Sequence, residues 1–524
     1  MNNAAPKDVL LRLARCSELS LFLIVCGCRM IVLLAMLFCR AVLPKLIGTD
    51  LLLDSGGLLY EDTSREWSVL DYPRNWDAVH YFHVAKNGYS HENNCVFFPL
   101  VPFMVQAMSW LNTNVLPASL AAVPVSFQLS LLNVLLGGAA GIFLRRTTVL
   151  TLLGPAPMKK DTVALGGTWL DELPPPPPPR WVAKEKARDI DNTQTLWREV
   201  GGAMLMWIMN PTVVFTVVVY TEGVFSFLTF LGVYLLVLPT SAKGGNSAVG
   251  ALTEAGAVAC FTLAGFARSN AFLYIGYLLY PIVLQLFFFS TYRRRYARFY
   301  GTAELPGRWP SAARCTVTVL EVLIIMSPYV FMNFFCFSRF VPLWDAASRK
   351  AIGNHFWHFY GWMQKRYWNV GFLSSYTLKN APNVVIASPI LFFTMRSILL
   401  FYLHPTRAKM TTASSPVGAA DVKGSNSKKG NNTHTQLRSL HKSLEGIVQS
   451  SNTVCLLLLI LIGVSVVHVN VVNRFIMSSP ALYWYWSRQI VNDPWGGYTV
   501  VMLRIFVIWM GIGVLFFPNG MPWT

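Results

Sequence analysis

Long apolar runs alternate with short polar ones from residue 19 to residue 517. They fall near 19–39, 97–112, 120–144, 201–219, 222–238, 250–267, 271–290, 315–337, 384–403, 453–472 and 499–517. A run of roughly 20 apolar residues is long enough to cross the hydrocarbon of a bilayer as a helix. The pattern predicts an all-α, polytopic membrane protein with about ten or eleven spans. The stretch 201–238 is interrupted by Asn210-Pro211 and by Tyr220-Thr221-Glu222. It reads either as two spans or as one span and a re-entrant piece. The first run, Leu19 to Cys39, exceeds a signal-peptide core and lacks a small-residue cleavage site, so it reads as a retained anchor.

Three polar regions interrupt what is otherwise a single membrane domain over 1–524. Residues 44–96 carry eight acidic and four basic side chains, against the basic trend of the chain. This loop is expected outside the cytosol. Residues 146–199 contain the run Pro174 to Pro179, a stiff polyproline spacer without apolar periodicity. They read as an insertion; the alternative is a recruitment site for a proline-binding domain. Residues 404–452 are rich in Ser, Thr, Asn, Gly and Lys, with seven basic and two acidic residues. They read as a disordered cytosolic linker, on which the sequon Asn431-Asn432-Thr433 would stay unmodified.

Composition sharpens this picture in two places. Charged residues are 13% and hydrophobic residues 54% of the chain, and the mean hydropathy is +0.44. That excludes an ordinary soluble domain, which carries about 25% charged residues. The formal charge of +18 could suggest nucleic acid. The basic residues instead sit between spans, as in Arg293-Arg294-Arg295, which is the positive-inside pattern, so no nucleic-acid partner is expected. The nine cysteines are scattered, several in apolar runs, including Cys26, Cys260, Cys336 and Cys455. They read as small core residues rather than a disulfide or metal framework.

Candidate chemistry concentrates between the first two runs, in Trp76-Asp77-Ala78-Val79-His80-Tyr81-Phe82, continuing through Gly88-Tyr89 and Glu92 to Phe97-Phe98-Pro99. A carboxylate flanked by aromatics beside a membrane suits a sugar site. The rings stack on sugar faces, and desolvation raises the basicity of an acid used as general base. The plain alternative for Asp77 is a helix-cap carboxylate. Tyr220-Thr221-Glu222 puts an acid inside an apolar run, where it must be paired or functional. Arg268-Ser269-Asn270 and Arg474 sit beside spans, and an arginine can hold a lipid phosphate bidentately. The alternative for each is a helix-packing or snorkelling side chain; for Arg29, inside the first run, that alternative is preferred. The aromatic segment with Tyr367-Trp368-Asn369-Val370-Gly371-Phe372 reads as an interfacial belt or as the wall of a lipid-glycan groove.

Together these residues resemble one family, the second mannosyltransferase of glycosylphosphatidylinositol (GPI) assembly, called PIG-V in animals. The resemblance rests on Trp76-Asp77 with His80, Gly88-Tyr89, Glu92 and Phe97-Phe98-Pro99. It continues through Asn210-Pro211, Tyr220-Thr221-Glu222, Arg268-Ser269-Asn270, Tyr367 to Phe372 with Pro382-Asn383, and His468 through Arg474. The chain departs from the pattern at Ala271, where a glycine is usual, and in its long segments 146–199 and 404–452.

The resemblance implies a GT-C-type glycosyltransferase of the endoplasmic reticulum membrane with a catalytic first luminal loop. It implies transfer of mannose from dolichol-phosphate-mannose, in α1,6 linkage, to a mannosyl-glucosaminyl-phosphatidylinositol acceptor. It implies Asp77 as the catalytic base, with Trp76, His80, Tyr89, Glu92, Tyr220, Glu222, Arg268, Asn270, Trp368, Asn383, His468 and Arg474 binding substrate. It leaves room for a small accessory membrane subunit. No essential metal and no cofactor is expected, because no Asp-x-Asp pair lies near Asp77 and a lipid-phosphate donor offers no diphosphate to chelate. The competing readings are a GT-C transferase with another glycolipid acceptor, a transporter or scramblase, which would favour internal repeats, and a non-catalytic subunit.

Overall fold

The computed structural model describes residues 5–47, 68–153, 180–238, 247–290, 292–293, 307–403, 451–467 and 469–521. Every regular element among them is a helix. An amphipathic α1 (Ala5–Arg15) leads into the long α2 (Glu18–Ile47). Two shorter helices follow, α3 (Asp77–Asn87) and α4 (Leu100–Asn114), and then α5 (Val125–Leu153). Next come α6 (Arg180–Ile208), α7 (Thr221–Val237), α8 (Ser247–Ala267), α9 (Ile275–Phe287) and α10 (Ala312–Phe340). Two short helices, α11 (Ala346–Ile352) and α12 (Phe359–Trp368), separate α10 from α13 (Ala381–Leu403). The last four are α14 (Ser451–Ser465), α15 (Val469–Ile476), α16 (Pro480–Asn492) and α17 (Gly497–Phe516).

Among the described residues, seven segments are long and apolar enough to cross a membrane: Glu18–Pro44, Val125–Leu152, Val249–Ala267, Ser269–Phe287, Ala312–Leu343, Leu378–Phe401 and Gly497–Asn519. Thr221–Val237 and Ser451–Ser465 are apolar but shorter. The protein is thus a polytopic all-α membrane protein. The run expected at 97–112 forms the 15-residue α4. The ends of the segment 146–199 are helical, completing α5 and beginning α6. Residues 154–179, with the polyproline run, and 404–450 lie outside the described residues.

The ambiguous stretch 201–238 resolves into two helices joined by a buried irregular segment. Proline cannot continue a hydrogen-bonded helix, and it biases the preceding residue away from helical backbone. α6 therefore ends at Asn210-Pro211, and the Asn210 side chain accepts from the Thr212 N–H (2.8 Å). A 3-10 turn at Val213–Thr216 follows, wholly buried. Non-helical backbone at membrane depth survives only where protein satisfies its polar groups. Asn133 does so here, donating to the Val218 carbonyl (2.5 Å). The segment ends by delivering Tyr220-Thr221-Glu222 to the start of α7. At Gly223 an added Cβ would meet Asn133 Oδ1 at 2.7 Å and the Thr216 carbonyl oxygen at 3.1 Å, so a larger residue would displace the amide that holds this segment.

Arg29 packs in the span core. Its guanidinium is fully buried and lies 4.3 Å over the ring of Trp207. The Trp207 N–H donates to the Gly137 carbonyl (3.0 Å), and a Cβ at Gly137 would run into the Arg29 side chain. Its guanidinium nitrogens make no hydrogen bond among the described residues.

Cys95, in the turn Glu92–Val96, forms a disulfide with Cys336 near the end of α10, 241 residues away. This corrects the reading of the cysteines as core residues only; the other described cysteines, among them Cys26, Cys260 and Cys455, are free.

Candidate active site

Two helix starts bring two carboxylates together. Asp77 is the first residue of α3, and Glu222 lies in the first turn of α7. The positive end of a helix dipole favours an anion at each place. Glu222 is buried and accepts from Arg268 Nη1 (2.7 Å) and Arg474 Nε (2.5 Å). Arg474 also reaches across to Asp77 Oδ2 (3.2 Å). Asp77, Arg474, Glu222 and Arg268 thus form one chain of alternating charge, drawn from α3, α15, α7 and the end of α8. Two anions face two cations, so the buried charge is balanced.

Aromatic faces complete the desolvated side of this chain. Arg474 lies 4.6 Å over Phe215 and 4.9 Å over Tyr220, and Arg268 lies 4.7 Å over Phe475. The Asp77 side chain remains 38% exposed, against 4% for Glu222. The strong desolvation expected around Asp77 is therefore found around Glu222. Asp77 keeps an open face, and its Oδ1 makes no hydrogen bond among the described residues.

The backbone before Asp77 is unusual. Trp76 has φ +59° and ψ −125°, a region that bulky residues avoid. Such a conformation costs about 1–3 kcal/mol and persists only where its surroundings impose it. The Tyr220 hydroxyl oxygen accepts the Asp77 N–H (3.0 Å) and helps to hold it.

His80 lies one turn after Asp77. Its ring stacks on Phe97 (centroids 4.1 Å), and its Nδ1 lies 3.4 Å from Asn94 Oδ1. Burial pushes the imidazole below its usual range, opposed by Asp77 and by the Asn94 bond, so it is neutral at pH 7. Trp368 packs edge-on to Phe97 from the end of α12 (6.1 Å), so the aromatic segment forms part of the wall behind Asp77.

Other sequence-selected residues have different places. The Tyr89 hydroxyl donates to the Phe97 carbonyl (2.8 Å) and pins the loop. Glu92 stands apart from the ion chain. It accepts from Trp344 Nε1 (2.5 Å) and the Tyr367 hydroxyl (2.5 Å), with Arg366 at 3.4 Å. Burial, with Glu92 accepting its proton, pushes the Tyr367 hydroxyl up to about 12. A cleft of about 400 Å³ opens beside Glu92, lined by His91, Asn93, Trp344 and Tyr367. Asn270 is buried, and its amide makes no hydrogen bond among the described residues. Asn473, next to Arg474, shares that condition and was not singled out from the sequence. Asn383 begins α13, and no hydrogen bond joins it to the ion chain among the described residues. His468 lies outside the described residues. Among the described residues no three His, Cys, Asp or Glu side chains are grouped so as to hold a metal ion.

Comparison with known proteins decides what this constellation belongs to. A family model described as mannosyltransferase (PIG-V) matches residues 16–163 and 192–524, taking in every member of the ion chain. The chain belongs to the PIG-V mannosyltransferases. It is 25% identical to the human GPI alpha-1,6-mannosyltransferase 2, over 86% of this chain and 87% of that protein. It is 23% identical to the Drosophila melanogaster GPI mannosyltransferase 2, again over 86% and 87%. To the Cricetulus griseus GPI alpha-1,6-mannosyltransferase 2 it is 24% identical, over 80% and 73%. No solved structure matches. The gap between the two matched blocks, 164–191, falls within the segment read from sequence as an insertion. This PIG-V mannosyltransferase therefore carries its two carboxylates and two arginines within the shared body of the family.

Proposed function

We propose that this protein adds the second mannose, in α1,6 linkage, to a mannosyl-glucosaminyl-phosphatidylinositol GPI precursor, using dolichol-phosphate-mannose as donor. The observation that carries the mechanism is Asp77, open on one face and tethered by Arg474 on the other. The names of the relatives support the acceptor and linkage. The donor is the one that the family resemblance implies.

The donor mannose is β-linked to phosphate and the product is α-linked, so one inverting displacement suffices. Asp77 takes the proton of the acceptor 6-hydroxyl as that oxygen attacks the anomeric carbon. The bond from carbon to the phosphate oxygen breaks, and dolichol phosphate leaves with the electron pair. An inverting glycosidase does the same with water in place of the sugar hydroxyl. A phosphate leaving group needs positive charge and hydrogen bonds rather than a strong acid. Arg268 gives Glu222 one N–H only, so it has donors left for that phosphate. Arg474 is the tether that aims Asp77. The step uses no metal; activity in extracts treated with a chelator should be retained.

We assign the Asp77 end to the lumen of the endoplasmic reticulum. The acidic balance of 44–96 supports this, as does the Cys95–Cys336 disulfide, because such bonds persist in oxidising compartments. A glycosylation acceptor engineered near Leu59 should be modified, and native Asn431 should not; the reverse pattern overturns the assignment. The activity is tested by glycolipid analysis of cells lacking this protein. A precursor with a single mannose should accumulate. Accumulation of a mannose-free or a dimannosyl precursor would place the protein at another step.

A further inference from the structure

The loop that carries Asp77 is fastened to a turn more than 440 residues further along the chain. The Asn75 side-chain amide donates to two successive carbonyl oxygens, those of Phe517 (3.0 Å) and Pro518 (3.2 Å). These belong to a 3-10 turn, Phe517–Asn519, directly after α17. The turn is buried, with Phe517 and Asn519 at most 1% exposed. It is braced internally: the Asn519 amide donates to the Leu515 carbonyl (2.8 Å), and Gly520 closes it at φ +68°.

The same turn supports the other side of Trp76. The Phe517 ring packs edge-on to Tyr220 (5.5 Å) and to Phe215 (6.0 Å). Tyr220 receives the Asp77 N–H, and both rings lie under the Arg474 guanidinium. The residues on each side of Trp76 are thus both held at this turn, Asn75 through its side chain and Asp77 through its N–H on Tyr220, which packs on Phe517. A side chain as large as tryptophan does not hold φ +59° unaided. Released from either grip, the backbone would relax and turn Asp77 away from Arg474.

We propose that Asn75 and the Phe517–Asn519 turn are positioning elements of the transferase, holding Trp76 in its strained conformation so that Asp77 faces the acceptor hydroxyl. They touch no reacting atom and act only through Asp77. The inference rests on Asp77 being the base.

The test is a double-mutant cycle on the full-length protein, assayed in microsomes with dolichol-phosphate-mannose and the single-mannose precursor. Asn75→Ala should lower kcat by about tenfold to a hundredfold, the scale of a misplaced catalytic group. The KM for each substrate should stay near that of the parent, and kcat should fall in the folded fraction whatever the loss of the two hydrogen bonds does to the Tm. Asn75→Gln, whose amide sits one methylene too far out, should fall between the two. In an Asp77→Asn background, Asn75→Ala should cost nothing further, because the group it aims is already gone.

A lowered Tm with unchanged kcat in the surviving protein would reduce the turn to a packing contact and overturn the inference. An equal loss of kcat with and without the Asp77 carboxylate would also overturn it. Should Asn75→Ala not accumulate, Asn75→Gln is read by the same criteria. Near-parental activity of Asp77→Asn alone refutes the catalytic base itself, a separate result from either failure of Asn75.

Discussion

The two ends of the loop from Asp77 to Glu92 present the same ingredients with opposite outcomes. Each has a carboxylate, an arginine and a wall of aromatic rings. At Glu92 the carboxylate is 17% exposed and taken up by Trp344, Tyr367 and Arg366, all from the segment that follows α10. At Asp77 the carboxylate is more than twice as exposed and has, among the described residues, one side-chain partner, Arg474. A carboxylate whose acceptor positions are filled ties two segments together. One with a free oxygen facing solvent can take a proton. The cleft beside Glu92 is therefore a gap next to a tie, whereas Asp77 retains the capacity for chemistry.

This contrast can be broken in graded steps. The largest effect is expected at Glu222, which holds both arginines of the Asp77 end. Glu222→Gln leaves two buried cations short of an anion, and breaking a buried pair costs about 3–5 kcal/mol. Protein level and Tm should both collapse; normal thermal stability in this variant would show that the ion chain is not the keystone drawn here. Asp77→Asn keeps shape and removes basicity. It should lower the rate on the order of 10²-fold or more, with normal expression. Rescue of a null cell to parental GPI levels by this variant would remove the base assignment.

Glu92→Gln should do the converse. Loss of its charge-assisted bonds should cost about 1–3 kcal/mol of stability, while kcat of the folded fraction stays intact. A fallen kcat at unchanged Tm would make Glu92 part of the substrate site and erase the contrast. The smallest effect concerns pH. His80 has its proton affinity lowered by burial, so the unfolded chain binds a proton more readily than the folded one. Stability is then complete above the unfolded value near 6.5 and declines as pH falls through it. Thermal melts at pH 7.5 and 5.5 should differ modestly, and His80→Gln should reduce the difference.

Much of the site was legible because charge inside apolar sequence is costly. Glu222, Arg268 and Arg474 stand out beside long hydrophobic runs, and the structure joins all three. The sequence requires Glu222 to be paired or functional but does not name the two arginines as its partners. Asp77 stood out from its aromatic neighbours, although the expected desolvation sits at Glu222, on the far side of Arg474 in the ion chain. The helical architecture was legible from the runs themselves, but their lengths were not. Asn210-Pro211 signals a break without saying that the chain stays buried through it.

The Cys95–Cys336 pair was hidden because one cysteine lies in a polar loop and the other in an apolar helix. No spacing rule links residues so far apart. Asn75 and Phe517 were hidden for the same reason: an amide meeting two carbonyls across 442 and 443 positions leaves no local pattern.

That disulfide also imposes a timetable. At about 5–20 residues per second, the 241 residues between its halves take roughly 12–50 seconds to synthesise. Throughout that interval Cys95 waits as a thiol while α4 through most of α10 are made and inserted. Oxidation of a protein thiol itself takes seconds to hours. The loop beside the active site is therefore covalently closed only after more than half the chain has been made. A newly made molecule passes through a reduced stage that lasts at least as long as this synthesis.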